Sequence, residues 1–164
     1  MIVYFINIIA AILLTAFSFG IIPSDEGNAF FYLLMFVGWY ALAWLVSYFY
    51  NKTHFYKVPK IIGLIIYFLK ELVVASFKVA YDIITPKNYM KPALVAVPLD
   101  VKSDLEITLL ANLITLTPGT LSIDISKNKK VLLIHEVYVK DEDVEAVKKT
   151  IKDGFERRIL NITR

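Results

Sequence analysis

All 18 lysines and arginines of this chain lie after Asn51, and the only charges before it are Asp25 and Glu26 in the short segment Pro23-Ser24-Asp25-Glu26-Gly27-Asn28. A charge-free N-terminal third cannot present a polar surface to water. It is the part that sits in lipid, and it accounts for a hydrophobic content of 57%, above that of an ordinary soluble domain.

Residues 2 to 22 make a run of about 21 uncharged residues, which at ~1.5 Å per residue covers the ~30 Å hydrocarbon core. No basic residue precedes the run and no small-x-small site follows it, so it reads as a retained span rather than a cleaved signal. Residues 29 to 50 form a second span, in which Trp39, Tyr40, Trp44, Tyr48 and Tyr50 thicken towards the C-terminal, interfacial end. The short link forces an antiparallel hairpin. Lys52, Lys57 and Lys60 follow directly, so the positive-inside rule puts the N-terminus and everything after the hairpin in the cytoplasm of a multi-pass protein.

A third apolar stretch, residues 61 to 84, contains Lys70, Glu71, Lys78 and Asp82. At ~100° per residue these fall, with Lys60, on one helical stripe about 120° wide. Each charge costs roughly 2.5–3.5 kcal/mol at the centre of a span. The expectation is therefore an amphipathic helix in the cytoplasmic interface, with a third crossing as the alternative. Lys70 and Glu71 read either as a solvated polar face or as a contact with a neighbouring subunit.

After the turn-forming Thr85-Pro86-Lys87-Asn88 the periodicity changes, giving three regions: hairpin 1–51, basic link and amphipathic helix 52–85, and a small α+β domain 86–164. Leu94 to Val101 is a short strand with Pro98 at an edge or bulge. Ser103-Asp104-Leu105-Glu106 is a capping box for a helix that stops at Leu116-Thr117-Pro118-Gly119-Thr120. Thr120 to Ile125 and Val131 to Val139 are strands joined by a hairpin loop, and Asp141 to Leu160 is a closing amphipathic helix. The order is β-α-β-β-α, with the first two strands expected to be parallel through a right-handed crossover.

Little catalytic chemistry is on offer. The chain has no cysteine, His54 and His135 are too few for a histidine-based metal site, and its glycines do not cluster into a phosphate loop or nucleophile elbow. No catalytic or metal-binding residue and no cofactor is assigned. A net charge of +3 does not argue for nucleic acid. Both spans lack ionisable residues, whereas a protein that moved ions itself would place some there. The Thr117-Pro118-Gly119-Thr120 turn is the one distinctive local motif; it reads as a helix stop, or as a tight turn presenting two hydroxyls to a partner.

The layout as a whole resembles the E subunit of the Mrp (Mnh, Pha) multisubunit sodium/proton antiporter family of bacteria and archaea. The likeness rests on the N-terminal hairpin, Phe68-Leu69-Lys70-Glu71-Leu72, the helix ending Asn112-Leu113-Ile114-Thr115-Leu116-Thr117-Pro118-Gly119-Thr120, and the strand with Ile134-His135. The resemblance implies an accessory subunit in the cell membrane whose partners are other Mrp-type membrane subunits and the lipid bilayer. Ion translocation would belong to larger subunits similar to those of respiratory complex I.

Overall fold

A computed structural model describes residues 2–21, 29–86, 90–139 and 143–164. The chain divides into two compact units, Met1–Pro59 and Lys60–Arg164.

In the first unit, α1 (Ile2–Ile21) and α2 (Ala29–Tyr50) pack together. They run antiparallel: Tyr50 at the end of α2 donates to Asn7 Oδ1 near the start of α1 at 2.6 Å, while Trp39 Nε1 donates to Ser18 Oγ at 3.3 Å. Phe30–Tyr50 is long and apolar enough to cross a membrane; the apolar part of α1, Val3–Ser18, is shorter. The expected link at Pro23–Asn28 lies outside the described residues, as do Lys87 and Asn88 of the second link and Asp141 and Glu142 at the expected start of the last helix.

Residues 52–60, expected as a link, are helical. α3 runs unbroken over Lys52–Ile84, because Asn51 caps it: its Oδ1 accepts the His54 amide at 3.0 Å. Pro59 sits inside this helix and has no N–H to give to the carbonyl four residues back. That carbonyl, Phe55 O, accepts the indole N–H of Trp44 at 3.1 Å instead, and the Trp44 ring stacks on Phe55 at 4.9 Å. An aromatic donor from α2 thus replaces the missing helix hydrogen bond.

The second unit holds the rest of α3 and a three-stranded sheet: β1 (Ala93–Pro98), β2 (Thr120–Ile125) and β3 (Val131–Glu136). The β-α-β-β-α order is present, but β1 and β2 are not neighbours. The sheet order is β1-β3-β2, both pairs antiparallel, with Val95 opposite Ile134 and Ser122 opposite Ile134 on the other side. β1 and β2 therefore point the same way with β3 between them. The hairpin from β2 to β3 turns through Lys129 at φ 57° and returns β3 into the gap. A bulge between Ser122 and Asp124 shifts the β2 register.

One sheet face is covered. Val95, Val97, Leu132 and Ile134 pack with Val101, Ile107, Leu110 and Ile114 around α4 (Asp104–Thr115), and with Ile151, Phe155 and Ile159 from the C-terminal helices. The capping box forms as the sequence predicts, Ser103 accepting the Glu106 amide and Glu106 accepting the Ser103 amide. The closing helix is not continuous: α5 (Val144–Ile151) and α6 (Arg157–Thr163) are separated by a π-helical turn at Lys152–Glu156. That wider turn buries Gly154, Phe155 and Glu156 in succession, which a regular helix would splay around its axis. Glu156 Oε1 there accepts the amides of Asp100 and Val101, at 2.6 and 3.1 Å, and so ties down the end of β1.

Candidate functional site

The charged stripe of α3 is the place where the second unit closes. Lys60 Nζ donates to the Asn161 carbonyl at 2.7 Å, and Leu64, Tyr67 and Phe68 join the core of the sheet domain. Tyr67 is gripped from three sides. Its ring meets Phe155 edge-on at 5.2 Å, the Arg158 guanidinium lies 3.8 Å from its centroid, and its hydroxyl fills the space above Gly154. Further along the helix, the Lys78 ammonium stands 4.0 Å from the centre of the Tyr138 ring. The domain thus packs along the stripe at Lys60, Tyr67 and Lys78, while Lys60, Lys70 and Lys78 themselves remain exposed.

Beyond Tyr67 the two layers part and line a half-open cavity of about 330 Å3. α3 contributes Glu71, Val74, Ala75 and Lys78; the turn after α4 contributes Thr117, Pro118 and Thr120; the end of β3 contributes Glu136 and, just after it, Tyr138; and α5 supplies the last wall. Burial pushes the Glu136 carboxyl above its ordinary value, against the opposing pull of the Tyr138 amide and of Lys78. Burial, with Asp82 and Glu136 alongside, raises Tyr138 as well. Tyr138 Oη and Asp82 Oδ2 are both sheltered from solvent and neither makes an aligned hydrogen bond. The walls are mainly apolar with a few converging polar groups, the composition of a small-molecule pocket. Among the described residues no group of three or more histidines, aspartates or glutamates could hold a metal ion.

Of the residues singled out in the sequence, Glu71, Thr117, Pro118 and Thr120 meet at this cavity. Gly119 adopts φ 92°, and a Cβ there would lie 3.1 Å from the Tyr138 ring. Lys70 turns outward, its side chain 68% exposed and its ammonium 3.7 Å from Glu71. The turn's two hydroxyls are taken up by the helix stop. Thr117 donates to Leu113 O at 2.9 Å, and Thr120 donates to Ile114 O and, at 2.8 Å, to Thr117 O. Glu136 was legible in principle: strand alternation places it on the same face as Leu132 and Ile134, and a carboxylate on a core face is uncommon.

His54, one of the two histidines, is 2% exposed. Its Nε2 lies 2.9 Å from Asn7 Nδ2, and the Tyr50 hydroxyl meets the Oδ1 of the same amide at 2.6 Å. Tyr4 abuts the ring at 4.2 Å.

The fold is thus a pair of packed apolar helices, one of them long enough to cross a membrane, followed by a helix-backed three-stranded sheet in the order β1-β3-β2. The family described as Na+/H+ ion antiporter subunit (MNHE) matches residues 8–162. The chain belongs to that family. It is 44% identical over 108 residues to the Na(+)/H(+) antiporter E subunit of Alkalihalophilus pseudofirmus, covering 66% of this chain and 67% of that protein. It is 35% identical over 142 residues to the Na(+)/H(+) antiporter E subunit of Bacillus subtilis, covering 87% of each. Among solved structures it is similar to a chain of the membrane-bound sulfane sulfur reductase, an archaeal respiratory membrane complex, with TM-score 0.57, 26% identity, and coverage of 95% of this chain and 98% of that one.

Proposed function

We propose that this chain is a non-conducting accessory subunit of an Mrp-type Na+/H+ antiporter complex, anchoring a cytoplasmic α+β module and supporting assembly with other membrane subunits. One observation carries the reading: among the described residues, the buried polar groups of the hairpin unit, His54 Nδ1 excepted, satisfy one another or their own helix backbone. Thr15 and Ser18 donate to helix carbonyls one turn back, Ser47 donates to Trp44 O, and Asn7 is shared between Tyr50 and His54. With no Asp, Glu, Lys or Arg in α1 or α2, nothing in them provides an ion with a charged path. Both helices serve as spans, with the N-terminus and the module on the cytoplasmic side of the cell membrane. The purified chain alone in liposomes is expected to show no sodium-dependent proton movement; such movement would end the proposal. Lys70, outward-facing beside Glu71, is the proposed contact to a neighbouring subunit. Lys70→Glu is expected to lower co-purification of partner subunits, and an unchanged yield would remove that contact.

The cavity supports a second reading, in which the module binds a ligand and tunes the antiporter. α3 forms one of its walls, so the test uses the full chain: thermal shifts with ATP, ADP and short alkylamines, in wild type and in Glu136→Gln. A shift that the variant loses supports regulation. No shift with any of these probes counts against it.

A further inference from the structure

The side of α3 turned away from the domain is bare. Ile62, Ile66, Leu69, Val73, Phe77 and Ile84 are all at least half exposed. At ~100° per residue they fall within an arc of about 80°, centred opposite Lys60, Glu71 and Lys78. From Ile62 to Ile84 this uncharged stripe is roughly 33 Å long at ~1.5 Å per residue. A soluble surface rarely exposes so continuous an apolar strip. We infer that it is a lipid-contact surface: the α3 segment from Lys60 onward lies in the plane of the cytoplasmic monolayer and seats the α+β domain on the membrane.

The domain itself rules out a crossing. Its contacts follow α3 from Lys60 on Asn161 through Tyr67 on Arg158 to Lys78 on Tyr138, almost the full length of the segment. A helix that spanned the bilayer would carry Lys152, Asp153, Arg157 and Arg158 into hydrocarbon with it, each at roughly 2.5–3.5 kcal/mol on insertion scales. The occupant is lipid because α3 starts a single residue after α2, the helix able to span, whose end carries Tyr48 and Tyr50. The chain thus enters α3 at the interface.

The inference rests on the membrane anchorage proposed above, and the test separates the two. Single cysteines at Ile66, Leu69, Val73 and Phe77, with Asn112→Cys as an aqueous control, are introduced into the naturally cysteine-free full chain. Each is spin-labelled in phosphatidylethanolamine/phosphatidylglycerol liposomes, and only variants that keep wild-type melting are scored. Failure of the protein to float with the liposomes would end the anchorage itself. With flotation intact, oxygen and nickel-chelate accessibilities are expected to give all four stripe positions one shallow depth, about 5–10 Å below the headgroups. A depth that changes steadily, by about 16 Å between residues 66 and 77 at ~1.5 Å per residue, would mean a crossing and overturn the inference. Stripe labels as accessible to the nickel chelate as the Asn112 control would overturn it too, leaving a protein partner as the occupant.

Discussion

Gly154→Ala tests the clamp on Tyr67 most directly. A Cβ at this position would stand 2.5 Å from Tyr67 Oη, 3.2 Å from Cζ and 3.3 Å from Cε1. The ring cannot simply swing aside, since Phe155 and Arg158 hold it. Overpacking of this kind costs about 1–3 kcal/mol, and replacing a helical glycine by alanine returns about 0.8–1 kcal/mol. The net expectation is a loss of about 1 kcal/mol, or on the order of 4–8 °C in a unit of roughly 100 residues. In a Tyr67→Phe background the nearest clashing atom is gone, so the same substitution should cost less than about 0.5 kcal/mol, a coupling of up to about 1 kcal/mol in the double-mutant cycle. Both tryptophans lie in α2, so their fluorescence reports the hairpin. The readout is near-UV tyrosine dichroism, or exchange of the Leu132 and Ile134 amides in β3. If Gly154→Ala melts at or above wild type, or loses the same amount in both backgrounds, Tyr67 does not occupy that space and α3 is not closed onto the domain there.

Three further outcomes are expected. Glu106 is held at about 2 by the Thr163 hydroxyl and the Lys102 and Ser103 amides. Because this lies below its ordinary value of 4.5, its contribution is present above that pH and lost as pH falls towards 2, and Glu106→Gln should flatten the acid limb of the unfolding profile between those limits. Gly119→Ala forces a side chain into φ 92° against the Tyr138 ring and should lower stability by about 1–2 kcal/mol in denaturant titrations. Trp44→Phe keeps the stacking on Phe55 but removes the donor to its carbonyl, and should cost about 1–3 kcal/mol, read as faster amide exchange at residues 52–58.

The sequence declared the helices, caps and strands, because these follow from local pattern. The absence of charge before Lys52, apart from Asp25 and Glu26 in the link, marks two apolar helices, Ser103 and Glu106 announce a capping box, and Gly119 after Pro118 announces a stop. It was silent on what long-range pairing decides. β1 and β2 are both short and alternating, and nothing local says that β3 returns between them. The charges on α3 show that one side is polar, but polarity is the same whether water or a folded domain covers it. The π turn left a faint trace in Gly154, Phe155 and Glu156, where a carboxylate follows directly on a core aromatic. The cavity was legible only at its margins: Glu71 and the Thr117–Thr120 turn stood out, whereas Lys78, Glu136 and Tyr138 converge through tertiary packing.

The clamp on Tyr67 also sets an order of events during synthesis. α3 leaves the ribosome first, with Lys70, Glu71, Lys78 and Asp82 uncovered, and Gly154, Phe155, Arg158 and Asn161 follow more than 60 residues later. At about 5–20 residues per second that interval is several seconds. Throughout it that stretch of helix stands without the partners that later grip Tyr67 and Lys60. The last turns of the chain are therefore also the last part of the second unit to close.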